Sequence, residues 1–123
     1  MCAAKYKLNN LLVVIDRNNI QIDGHTEDVM PLEPLKDKLS SFGLNVIEVD
    51  GHNMEEISDA FDMAKVNFNK PSVIILKTIP GKGVDFMENE YTWHGKAPGI
   101  GEAVQALAEL EAIQTLGGKV IND

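Results

Sequence analysis

Three short apolar runs constrain this chain most: "LLVVID" at 11–16, "NVIEVD" at 45–50 and "SVIILKT" at 72–78. Each has strand length and β-branched residues. The first and third are apolar without alternation, which fits strands covered on both faces of a parallel sheet. Between the first two lies "PLKDKLSSFG", 34–43, which predicts a short helix with Pro34 near its first position, Leu35 and Leu39 four apart, and Gly43 as its stop. Between the second and third, "MEEISDAFDMAKVNF" puts Ile57, Phe61, Ala64 and Phe68 at helical spacing over 54–68. Asn53 is its N-cap, with Glu55 and Glu56 in the first turn where the helix dipole favours acids, and Asn69 and Pro71 end it.

Strand, helix, strand, helix, strand predicts an α/β fold, with two right-handed crossovers and a parallel sheet flanked by helices. Three strands leave two sheet edges, so the sheet is expected to belong to a larger one. A polar segment joins the first strand to Glu33, and an irregular stretch runs from Ile79 to Gly99. A last helix, "GEAVQALAELEAI" at 101–113, and a weakly patterned tail, 114–123, complete the chain. At the start, "CAAKYK" has the composition of a helix end, with Lys5 and Lys7 suited to the negative pole of the dipole.

Open parallel sheets bind ligands beyond the carboxyl ends of their strands. Three tips are therefore candidates: Asp16-Arg17-Asn18-Asn19, Asp50-Gly51-His52-Asn53, and Thr78 onward. Asn18 offers a hard, neutral oxygen of the kind Mg²⁺ takes beside phosphate oxygens. Equally, Asp16 and Asn18 can close a turn on their own backbone. Asn19 suits a positive-φ position. His52 reads mainly as part of a turn and cap, and His25 as a loop residue. Gly81-Lys82-Gly83 lets the backbone pass close to a ligand but lacks the rest of a P-loop. Trp93-His94-Gly95 fits either a polar pocket or a histidine packed beside tryptophan.

Charge and cysteine content narrow the partners. A net charge of −8 argues against nucleic acid and acidic membranes, which need a basic face. No apolar run approaches the roughly 18 residues that span a bilayer. The first ten residues lack the apolar core of a signal peptide. A single cysteine, Cys2, leaves no intramolecular disulfide framework, so a cytoplasmic location is expected.

"KYKLNNLLVVIDRNNIQIDGHTEDVMPLEPLKDKLSSFGLNVIEVDGHN", "PSVIILKTIPGKGVDFMENEYTWHGKAP" and "EAVQALAEL" together resemble transketolases, in particular the separately encoded N-terminal subunits of many prokaryotes. The resemblance covers nearly the whole chain in order. It implies a thiamine-diphosphate-binding fold and transfer of a two-carbon ketol unit between sugar phosphates. It further implies a Mg²⁺ or Ca²⁺ ion that bridges the diphosphate to Asn18, to the Ile20 carbonyl and to the aspartate of an upstream Gly-Asp-Gly motif. Ile22 matches an apolar residue lining the cofactor, and His94 matches a histidine that approaches the diphosphate and substrate.

Asn19 stands where Gly is common in such subunits, and His25 where Pro is. Neither departure touches the site. The Gly-Asp-Gly segment and the cofactor-activating glutamate have no counterpart in these 123 residues. Residues 1–123 are therefore expected to form part of one domain, inactive alone, joined by a complementary transketolase chain or by a homo-oligomer. The alternatives are a non-catalytic module derived from a transketolase that self-associates, and another thiamine-diphosphate enzyme such as a deoxyxylulose-phosphate synthase or a 2-oxo acid dehydrogenase.

Overall fold

A computed structural model describes residues 1–117, so the end of the predicted tail, 118–123, lies outside the described residues. In chain order the elements are α1 (Cys2–Lys5), β1 (Leu12–Arg17), β2 (Ile20–Gln21), β3 (Gly24–His25), α2 (Thr26–Val29), α3 (Leu35–Ser41), β4 (Asn45–Asp50), α4 (Met54–Lys65), β5 (Ser72–Lys77), a 3-10 helix (Tyr91–Gly95) and α5 (Ile100–Gly117). They form two compact units, one of Met1–Asn19 with Met30–Thr78, the other of Ile20–Val29 with the described residues from Ile79 onward.

The first unit holds the predicted parallel sheet, in the order β1-β5-β4. Leu12 and Asn45 both stand opposite Ser72, and the ladders run in step to Arg17, Lys77 and Asp50. The central strand β5 is buried as expected, with Val73, Ile74 and Ile75 at most 2% exposed. Ile74 packs on Ala60 and Ala64, which lie four apart on one face of α4. Leu12, Ile47, Val49, Phe61 and Leu76 surround that contact.

The predicted boundary signals operate. The Asn53 side chain accepts the N–H groups of Glu55 at 3.0 Å and Glu56 at 3.3 Å and so caps α4. Gly43, at φ 82°, follows the cap residue of α3, Phe42, and lets the chain leave in a left-handed turn. Two expectations need correction. Helix α4 ends at Lys65, so Phe68 falls beyond it and is 75% exposed; the Asn67 side chain accepts the Asn69 N–H and turns the chain toward Pro71. Burial on both faces also fails for β1, an edge strand whose Val13 and Val14 stay 40% and 45% exposed.

In the second unit β2 and β3 make a small antiparallel hairpin, with Ile20 opposite His25 and Gln21 opposite Gly24. The polar segment before Glu33 therefore contains structure that its composition does not announce. The irregular stretch 79–99 contains the 3-10 helix. Val84 and Ala106 are buried in this unit.

Candidate functional site

The three predicted strand tips meet in the first unit. The Thr78 hydroxyl donates a hydrogen bond to the Asp16 carboxylate, and the Thr78 N–H reaches the Arg17 carbonyl at 3.4 Å. The Gly51 N–H donates to the Lys77 carbonyl at 2.8 Å. A Cβ at Gly51 would run into the Thr78 methyl and sit 3.0 Å from the Lys77 carbonyl, so only glycine lets these tips approach. Asp50 closes its own turn by accepting the His52 N–H at 2.8 Å. The His52 backbone thus serves the turn and cap, as its surroundings predict.

Beside these tips lies an ion pair that no local pattern in the sequence announces. Arg17 is 6% exposed, and its Nε and Nη2 donate to Glu33 Oε1 at 3.1 and 3.0 Å. The other oxygen of Glu33 accepts the Leu35 N–H at 2.9 Å, at the start of α3. The Leu35 amide first, and the Arg17 guanidinium second, hold the Glu33 carboxyl below its ordinary range. Next to this pair Glu48 bridges Lys77 at 2.6 Å and Lys36 at 3.7 Å. The hydrogen bond that Lys77 donates to Glu48 raises its ammonium above its usual value. These groups line a cavity of about 130 Å³.

The proposed ligands lie on both sides of a unit boundary. Asn18 is half-buried at the end of the first unit's β1, and Asn19 holds φ 63°, as its type predicts. The chain then enters the second unit, where Ile20 is 9% exposed in β2 and Ile22 is 72% exposed in the hairpin turn.

His94 sits exposed on the 3-10 helix of the second unit. That helix packs on the β2–β3 hairpin, where the rings of His25 and Tyr91 meet edge to face at 6.3 Å. Glu90 starts the helix by accepting the Thr92 N–H at 3.1 Å; the Thr92 amide and hydroxyl, then the charge of His25, hold its carboxyl below the usual range. Trp93 Nε1 donates to the Phe86 carbonyl at 3.0 Å, while His94 next to it is exposed. Lys96 lies 3.9 Å from the Trp93 ring centre and pairs with Glu102 at 2.8 Å. The glycines of Gly81-Lys82-Gly83 adopt φ 71° and 91°, and Gly81 lies against the Met87 backbone of its own loop.

Among the described residues no three His, Cys, Asp or Glu side chains gather as a metal site, and no helix is long and apolar enough to cross a membrane.

Residues 1–112 match the family model described as the thiamine diphosphate binding domain of transketolase. The chain belongs to the transketolase family. It is 40% identical over 117 residues to one subunit of an apulose-4-phosphate transketolase from Phocaeicola vulgatus, across 94% of this chain and 42% of that one. It is 43% identical over 111 residues to a 6-deoxy-6-sulfo-D-fructose transketolase subunit of a Clostridium species, across 90% of this chain and 40% of that one. A crystal structure of transketolase from Campylobacter jejuni superposes with a TM-score of 0.81 at 32% identity, over 89% of this chain and 17% of that one. The parallel sheet with flanking helices is thus a transketolase fold. The chain spans about two fifths of the length of these curated relatives.

Proposed function

We propose that this transketolase chain is the diphosphate-side part of a thiamine-diphosphate-binding domain. Its complete enzyme moves a two-carbon ketol unit between sugar phosphates in the cytoplasm, and residues 1–123 are inactive alone. The observation that carries this reading is the family match over residues 1–112, which runs through both the Asn18 tip and the helix bearing His94.

When bound, thiamine diphosphate supplies the nucleophilic carbon that carries the transferred unit. The residues of this chain bind and orient. The Asn18 amide oxygen and the Ile20 carbonyl would hold Mg²⁺ or Ca²⁺, Ile22 would offer an apolar contact, and His94 would donate to diphosphate or substrate oxygens. Both protein donors are neutral, so a charged protein ligand to the cation would come from elsewhere. A complementary transketolase chain or a homo-oligomer supplies it.

Calorimetric titration of thiamine diphosphate with Mg²⁺ tests this reading. The isolated chain is expected to show no binding near micromolar concentration, whereas the complemented chain binds. Asn18→Ala is expected to weaken that binding at least about tenfold, as loss of a metal ligand or its support does. Ketol transfer by the isolated chain, or binding indifferent to Asn18→Ala, overturns the proposal.

A further inference from the structure

Asn18 stands between two residues that belong to one polar network of the first unit. Arg17, the last residue of β1, is 6% exposed and donates through Nε and Nη2 to Glu33 Oε1. The second oxygen of Glu33 accepts the Leu35 N–H at 2.9 Å, so the carboxylate is itself fixed to the start of α3. From α3, Lys36 reaches Glu48 of β4 at 3.7 Å, and Glu48 bonds Lys77 of β5 at 2.6 Å. Lys77 stands opposite Arg17 in the sheet, which closes the circuit. Asn19, on the other side of Asn18, lines the cavity that this circuit borders.

The links of the circuit differ in strength. Lys36 and Lys77 are 55% and 64% exposed, so solvent screens their pairs with Glu48. Arg17 is buried, and two charge-assisted bonds from its guanidinium fix both the distance and the direction of its side chain. The backbone holds this tip more loosely, since the Thr78 N–H meets the Arg17 carbonyl at 3.4 Å, beyond the usual range. The ladder of β1 ends there. The chain leaves the first unit after Asn19 and returns at Met30, so the Arg17–Glu33 pair ties the point of departure to the point of return.

We infer that Arg17 and Glu33 are positioning residues that hold the Asn18 oxygen where a divalent cation can take it. The inference rests on the metal role proposed for Asn18 and adds the pair that aims it. Mg²⁺ accepts oxygen ligands only near about 2.0–2.1 Å and in near-octahedral directions, so a pivot of the tip by a fraction of an ångström costs affinity. Without Glu33 the guanidinium next to Asn18 loses the acceptor that fixes its direction, and the peptide after Arg17 is freer to turn.

Two readouts test this, one without cofactor and one with it. In the isolated 123-residue chain, ¹⁵N relaxation of the Asn18 backbone amide is expected to report an order parameter of about 0.85. In Glu33→Ala it is expected to drop below about 0.6, while Val73 and Ile74 in β5 keep the native value. In the complemented chain, Glu33→Ala is expected to weaken binding of thiamine diphosphate with Mg²⁺ by about 10–100-fold, as loss of a ligand's support does. The double variant Arg17→Met with Glu33→Gln separates position from stability. It leaves no unpaired charge buried, and the new amide oxygen can still accept the Leu35 N–H. Its melting temperature is expected to return toward the native value while Asn18 order and cofactor affinity stay low. Should Glu33→Ala fail to fold, the double variant carries both readouts.

Native order at Asn18 in these variants overturns the inference, as does affinity that recovers with melting temperature in the double variant. Affinity that falls for Asn18→Ala but not for Glu33→Ala overturns this inference alone. Affinity indifferent to Asn18→Ala overturns the metal reading on which it rests.

Discussion

The indole N–H of Trp93 donates to the Phe86 carbonyl at 3.0 Å, and the two rings meet edge to face at 5.3 Å. This pair fastens the 3-10 helix that carries His94 to the loop before it. Lys96 stacks on the same tryptophan ring and continues the chain of contacts to Glu102, which accepts the Gly99 N–H at 2.7 Å. This short helix thus leans on one tryptophan as well as on its Glu90 cap and the hairpin it packs against.

Trp93→Phe keeps an aromatic ring but leaves the Phe86 carbonyl without its donor. The expected loss is about 1 kcal/mol, the usual contribution of one such bond. Urea denaturation followed by circular dichroism measures it. An unchanged midpoint would show that the ring's packing alone holds the helix.

Ile74 is the centre of the first unit's core, fully buried against Ala60 and Ala64. Ile74→Ala is expected to cost roughly 2–5 kcal/mol through lost burial and a residual cavity. The two alanines bring the helix backbone close and have no long side chains to collapse into the space, so the upper half of that range is expected. Ala64→Gly, which removes one methyl from the same contact and adds helix flexibility, is expected to cost less. Thermal melting of the two variants ranks them, and a reversed order would place the core elsewhere.

The legible parts of this fold are those where sequence signals are strong. β5 and α4 can be read because continuous burial and a 3.6-residue period both leave patterns over many residues, and Asn53 and Gly43 mark boundaries by chemistry of their own. The β2–β3 hairpin is not legible, since strands of two residues have no period to detect. Phe68 misleads because its spacing continues the helical pattern past the point where Asn67 turns the chain. The Arg17–Glu33 pair joins residues sixteen apart, with β2, β3 and α2 between them in the chain, and no local rule connects them. Asn18 and Asn19 stand out by residue type at a strand tip, while the roles of Ile20, Ile22 and His94 come from resemblance alone.

Glu33 gives a pH prediction with a definite sign. Its carboxyl is held below the ordinary range by the Leu35 amide and then by Arg17, so its folded-state value lies below its unfolded one. The stabilisation is therefore complete above the ordinary glutamate range and is lost as pH falls through the lowered value. Because Glu33 is 54% exposed, solvent screens much of the effect. Melting temperatures between about pH 6 and about pH 3 are expected to fall more steeply in the native chain than in Glu33→Gln. Parallel curves would mean that Arg17 is satisfied without this carboxylate.

Gly51 tests how closely the strand tips meet. An alanine placed where the backbone tolerates it commonly stabilises a protein by about 0.4–1 kcal/mol. At Gly51 the added methyl meets the Thr78 side chain and lies 3.0 Å from the Lys77 carbonyl and 3.1 Å from Leu76 Cβ. Gly51→Ala should therefore destabilise by roughly 1–3 kcal/mol, as overpacking does, and push Thr78 away from Asp16. Thr78→Ser removes the colliding methyl while keeping the hydroxyl that bonds Asp16. The double variant is then expected to recover at least about 0.5 kcal/mol relative to the sum of the single changes. Chemical denaturation of the four proteins gives the coupling directly. Strict additivity would locate the strain at the Lys77 carbonyl, and with it the limit on what can bind over these tips.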